Sequence, residues 1–173
     1  FRSVLMDEMT ENRISGIAVR EEDLVELICD LVRIPSYPGV SCQESGVADY
    51  ISAYFNRAGI ESVTLPVIDG RRNVHACLRG SGAGRNLLFN GHLDTVPPYD
   101  MSNALAPVIK GRSIHGRGTT DMKGALACMM TAMRLLSEAA IPLRGDMVFS
   151  GVIDEELTSL GTRSLLKDGR ASN

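Results

Sequence analysis

Asn86-Leu87-Leu88-Phe89-Asn90-Gly91-His92-Leu93-Asp94 and Met147-Val148-Phe149-Ser150-Gly151-Val152-Ile153-Asp154-Glu155-Glu156 each run from an apolar segment straight into a polar cluster. A short, bounded run of this kind, rich in β-branched and aromatic residues, is the pattern of a buried strand. Between them, residues 124–138 carry Leu126, Met129, Met130, Met133, Leu135 and Leu136. That spacing puts apolar side chains nearly all round a helix and predicts burial on more than one face. Strand, helix and strand in this order predict a βαβ crossover and a largely parallel sheet in an α/β fold. Ligands of such sheets bind outside the carboxyl ends of the strands. His92 and Asp94 follow one strand and Asp154-Glu155-Glu156 the other, so both clusters emerge at one edge. Asp121 stands just before the joining helix, whose N-terminus lies at that edge and favours negative charge.

Outward from this unit, Leu24, Leu27, Ile28, Leu31 and Val32 recur at helical spacing, with Pro35 as a stop. Ser41 and Glu44 have the spacing of a capping box for the next helix. Its apolar stripe is Val47, Ile51, Tyr54, Phe55 and Ala58, and Gly59 is its C-terminal stop. Residues 62–67 and 73–78 are predicted strands. Cys29, Cys42, Cys77 and Cys128 sit in apolar patterns and form no C-x-x-C pair. They read as four buried thiols in a reducing, cytoplasmic setting. The methionines of the long helix read as core filler. His75, within a strand pattern, and His115, just before Gly116, read as structural.

The bulk numbers agree with one buried core: 173 residues, 44% hydrophobic, 23% charged, formal net charge -3. A mildly acidic chain with no Lys/Arg cluster argues against a nucleic-acid partner. No apolar run reaches the length of a membrane span. Phe1 to Thr10 lacks the apolar stretch of a signal peptide.

An imidazole with several carboxylates and no thiolate forms a site suited to zinc, cobalt or manganese. Asp94, two residues from His92, is placed to hold the ring from behind, fixing its tautomer. Asp121 has two oxygens to share between two ions. Of the adjacent Glu155 and Glu156, one can bind metal while the other moves protons, a division that suits hydrolysis. Alone, a His-x-Asp is a surface loop, an Asp-Glu-Glu a solvated turn and Gly116-Arg117-Gly118 a flexible turn. Their joint arrangement carries the reading.

The segments His92-Leu93-Asp94-Thr95-Val96-Pro97, Gly116-Arg117-Gly118-Thr119-Thr120-Asp121-Met122-Lys123-Gly124 and Asp154-Glu155-Glu156 with Gly161-Thr162-Arg163 resemble, in order, three motifs of a hydrolase family. That family contains acetylornithine deacetylase, succinyl-diaminopimelate desuccinylase, aminoacylase and glutamate carboxypeptidase. The resemblance covers about residues 20–170. It implies a zinc-exopeptidase-like catalytic domain, with a mixed sheet flanked by helices and with two zinc ions. His92 would bind one ion, Asp121 would bridge, Glu156 would bind the second, and Asp94 would stand behind His92. Glu155 would be general base, taking a proton from a water held by the metals as it attacks the amide of an N-acyl amino acid. The alternatives are a dipeptidase or carboxypeptidase of the same family, or a non-catalytic relative. The resemblance further implies a cis peptide between Asp121 and Met122. It also implies that residues 1–173 are the N-terminal part of a longer protein, truncated before two further ligands and a lid domain through which a homodimer forms. By themselves these residues would then be inactive.

Overall fold

The structure, a computed structural model, describes residues 8–169; most of the Phe1 to Thr10 stretch considered above lies outside them. In chain order the elements are α1 (Glu8–Ser15), α2 (Glu21–Arg33), α3 (Ser45–Arg57), β1 (Glu61–Ile68), β2 (Arg71–Leu78), β3 (Leu87–His92), β4 (Val108–Lys110), β5 (Ser113–His115), α4 (Lys123–Glu138), β6 (Met147–Val152) and α5 (Leu160–Lys167). α2 opens on Glu21, Glu22 and Asp23 and closes on Arg33, both favourable to its dipole. It ends at Ile34, extended at ψ 112°, as a residue before proline must be.

The predicted capping box does not form. α3 starts at Ser45, and the fully buried Glu44 carboxylate is held by Arg71 Nε at 2.8 Å. A capping glutamate must be free to reach back to a backbone amide. Here a charge-assisted partner, roughly twice as strong as a neutral one, engages it instead.

The main sheet has the order β1-β2-β6-β3. β3 and β6 are parallel neighbours in register from Leu87↔Met147 to His92↔Val152, and α4 joins them as the βαβ reading requires. The sheet is mixed but not mostly parallel, because β1-β2 and β2-β6 are antiparallel. The reason is local: Asp69 and Gly70 both take positive φ (45° and 77°) and close a two-residue hairpin. Such a turn returns the chain antiparallel; only a longer crossover permits a parallel neighbour. β4 and β5 form a separate small antiparallel hairpin ahead of α4.

α3 packs on β1 and β2, α4 on β3 and β6, and α2 on α4. Their core includes Leu31, Val47, Ile51, Phe55, Leu126, Met130, Met133 and Phe149. The Phe55 and Phe149 rings meet at 5.1 Å with a 58° tilt, within the favoured aromatic range. Met130 and Met133 are core filler, as expected. The cysteine reading needs correction: Cys29 is buried and Cys77 half-buried, but Cys42 and Cys128 are exposed. Cys128 sits on the one strip of α4 turned to solvent. By register, Val63, His75, Cys77, Val148 and Leu88 share the sheet face opposite the core. Most of them line an open groove of about 420 Å³. Among the described residues no helix is long and apolar enough to cross a membrane.

Candidate metal centre

Three elements deliver three ligating groups to one point. His92 ends β3, Asp121 lies two residues before the first residue of α4, and Glu156 follows β6. One ligand atom from each lies within 4.8 Å of the others. His92 is buried, and its Nε2 is 2.9 Å from Asp121 Oδ1 and 3.8 Å from Glu155 Oε2. The Asp121-Met122 peptide is cis. The Asp121 and Glu155 side chains are 71% and 52% exposed, so the cluster opens to solvent on the side away from His92. Neither His75 nor His115 joins it: His75 Nδ1 faces Ser150 Oγ at 3.1 Å, and His115 lies in β5.

Asp94 supports the cluster in a way the sequence does not disclose. The His92 Nδ1–H donates to the backbone oxygen of Asp94 at 3.0 Å; the Asp94 carboxylate stands at 3.5 Å. That carboxylate instead accepts the Glu155 N–H at 3.1 Å and the Glu156 N–H at 2.9 Å, one on each oxygen. One residue therefore fixes the His92 tautomer through its main chain and the Glu155-Glu156 turn through its side chain. Burial works against the Asp94 charge, but the nearby His92 ring and the two amide donors hold its carboxyl below the usual range. Burial likewise disfavours a charged His92, yet its hydrogen bonds with Asp94 and Asp121 prevail and push it up to about 9. A pocket that attracts a proton this strongly attracts a divalent cation for the same reason, and the cation displaces the proton.

Other motif residues act as internal ties. Asp154, in left-handed backbone at φ 65°, turns inward and is almost fully buried. It accepts from Arg71 Nη2 at 3.0 Å and from Thr158 N–H at 3.2 Å, and its own N–H donates to Glu44 Oε1 at 3.2 Å. Arg71 is held well above its usual range by Glu44 first, against the cost of burial, and then by Asp154. Asn73 spans the same turn, accepting from Ile153 N–H and donating to Gly161 O, each at 3.0 Å. Gly161 leaves no room for a side chain: a Cβ would lie 2.4 Å from Ile153 N and 2.5 Å from Asn73 Oδ1. Lys123 is buried at the start of α4 and donates to Ile34 O at 2.6 Å, tying the second motif to the end of α2. Burial pushes its pKa down to about 7. Arg71 and Asn73 escaped the sequence reading because nothing marks a strand-start polar residue as inward-facing. Lys123 had a signal, a cation at the start of a helix whose first two turns are otherwise without charge.

Beside the cluster runs an open groove of about 300 Å³, lined by Val96, Met101, Arg117, Thr119, Asp121 and Glu156 among others. Arg117 N–H donates to Ala104 O at 2.7 Å, which pins the second motif to the loop after β3.

The sequence profile of Peptidase family M20/M25/M40 matches residues 88–173. The chain is 29% identical over 170 residues to N-formyl-4-amino-5-aminomethyl-2-methylpyrimidine deformylase from Bacillus subtilis, covering 95% of this chain and 40% of that one. It is 36% identical over 150 residues to succinyl-diaminopimelate desuccinylase from a Methylobacterium species, covering 82% of this chain and 37% of the other. Its fold matches human carnosine dipeptidase 1 with a TM-score of 0.77 at 17% identity, over 96% of this chain and 39% of that one. The chain thus spans about 40% of the length of these relatives.

Proposed function

From the premise that the chain belongs to peptidase family M20/M25/M40, we propose that it forms the metal-ligating part of a zinc hydrolase that cleaves the amide of an N-acyl amino acid. The convergence of His92, Asp121 and Glu156 carries this reading. The names of the two relatives favour a deacylase over a dipeptidase, because deformylase and desuccinylase both describe the removal of an acyl group.

The donor set fits the metal. An imidazole and carboxylates without thiolate suit zinc, with cobalt or manganese as substitutes. His92, Asp121 and Glu156 would hold the metal. Bound there, zinc acts as a Lewis acid on the amide carbonyl and lowers the pKa of water. The proton traffic belongs to Glu155, whose carboxylate is solvent-accessible and 3.8 Å from His92 Nε2. Glu155 takes a proton from the attacking water and returns it to the leaving amine. Asp94, through the Glu155 and Glu156 amides, holds base and ligand in register.

The test uses the full-length protein with zinc and a panel of N-formyl, N-acetyl and N-succinyl amino acids beside dipeptides. Acyl-group release that a chelator abolishes and zinc restores is the expected result. Hydrolysis of dipeptides alone would reassign the enzyme within its family. A zinc-loaded protein that cleaves no amide would refute the proposal.

A further inference from the structure

Lys123 is the first residue of α4 and is 1% exposed. Two costs attend that position. Burial strips water from an ammonium group, and the N-terminus of a helix disfavours positive charge. Among the described residues no carboxylate lies close enough to Nζ to offset them. Its partner is Ile34 O, at 2.6 Å. Ile34 is the C-terminal cap of α2, where carbonyls lack intrahelical partners and the dipole favours a cation. The first side chain of one helix thus closes the end of another.

Three segments meet at this lysine. Its backbone N–H donates to Gly118 O at 2.8 Å. A Cβ on Gly118 would lie 3.2 Å from Lys123 Cδ and 2.8 Å from Thr95 Cγ2, so the lysine stem and Thr95 both pack on the Gly118 backbone. Thr95 N–H in turn donates to Ser36 O at 3.1 Å, two residues beyond Ile34. The end of α2, the chain after His92 and the chain before α4 are thereby joined. Asp121, two residues before Lys123, has no such support for its side chain. Its carboxylate is 71% exposed and hydrogen-bonds among the described residues only to His92 Nε2. Its place therefore depends on its backbone. We propose that Lys123 is a positioning residue of the metal centre: by fixing the chain before α4 to the end of α2, it sets Asp121 against His92 and so governs how tightly, and in what geometry, the cluster holds an ion. This rests on the metal-binding reading given above. An apolar side chain of like length fills the same space but leaves Ile34 O without its donor, and Asp121 then loses its alignment with His92.

The test titrates cobalt(II) into the full-length, metal-free protein well below its unfolding temperature. The visible absorption of the bound ion reports its coordination number and geometry. Lys123→Met is expected to weaken cobalt binding about ten- to a hundredfold, the span for loss of a group that supports a ligand, and to alter the spectrum of the saturated protein. Lys123→Gln, which keeps an N–H donor on a shorter stem, should fall between. Met133→Ala, a cavity in the same core helix ten residues on, controls for stability alone and should leave the spectrum unchanged. A Lys123→Met protein that unfolds at lower temperature but binds cobalt as the parent does, with the parent's spectrum, would overturn the proposal. So would an equal spectral change in Met133→Ala. Should Lys123→Met not fold, Lys123→Gln decides alone: the proposal stands only if cobalt binds more weakly and the spectrum changes. A parent that takes up no cobalt would refute the metal-binding reading and this proposal with it, whereas a parent that binds cobalt beside variants that bind it alike would refute this proposal alone.

Discussion

Glu155 and Glu156 are neighbours in sequence with different surroundings: Glu156 shares the ligand cluster, and Glu155 stands exposed at its rim. In the full-length enzyme, Glu155→Gln is expected to lower kcat by about a hundredfold to ten-thousandfold, the usual span for a general base, with zinc content nearly unchanged. Glu156→Gln should instead lose metal. Elemental analysis beside the rate separates the two, and the opposite pattern would exchange their roles. Asp94→Asn tests the support: an amide offers one oxygen where the Glu155 and Glu156 N–H groups require two acceptors. Zinc affinity should fall about ten- to a hundredfold, as for loss of other supporting carboxylates, measured by competition with a chelator. At this scale the sequence is most informative, since an imidazole and carboxylates at strand ends need no tertiary knowledge to be recognised. It does not reveal that Asp94 uses its carboxylate on two amides sixty residues away, nor that Asp154 faces inward. Both depend on which way a loop turns.

The elements were legible where periodicity is long and failed where one interaction outcompeted a local rule. The α2, α3 and α4 stripes predict those helices closely. The Ser41–Glu44 capping box fails because Arg71, distant in sequence, binds Glu44. The mostly parallel sheet fails because Asp69-Gly70, a hairpin signal, returns β2 antiparallel to β1. Arg71 now joins three elements: its own strand, the start of α3 through Glu44, and the turn after β6 through Asp154. Arg71→Met should leave two buried carboxylates unpaired, at a cost of about 3 kcal/mol. Thermal unfolding should then shift down by several degrees, with looser zinc binding because the Asp154 turn carries Glu156. Adding Glu44→Gln, whose amide oxygen can still accept the Asp154 N–H, should recover part of the loss. A single variant as stable as the parent would show that the triad contributes nothing.

At the scale of the whole molecule, the sheet is covered on one side and open on the other. β3 ends the sheet with no further partner strand among the described residues, and Leu87 and Leu88 on it are 48% and 37% exposed. Val63 is 43% exposed on the open face. Unpaired edges and contiguous apolar surface favour association. The metal centre shows the same incompleteness. A catalytic zinc normally takes three protein ligands, whereas on the proposed assignment, with Asp121 shared, His92, Asp121 and Glu156 would offer each of two ions only two. A polypeptide of these 173 residues is therefore expected to self-associate, to hold less than about one tight zinc per chain, and to cleave no N-acyl amino acid. Size-exclusion chromatography, elemental analysis and an amidase assay on the same preparation test all three. Addition of a separately expressed remainder of the protein is expected to restore zinc binding and turnover together. A soluble monomer with two zinc ions and measurable turnover would refute this account and would require His75 or His115 to reach the cluster, which their present places in β2 and β5 do not allow.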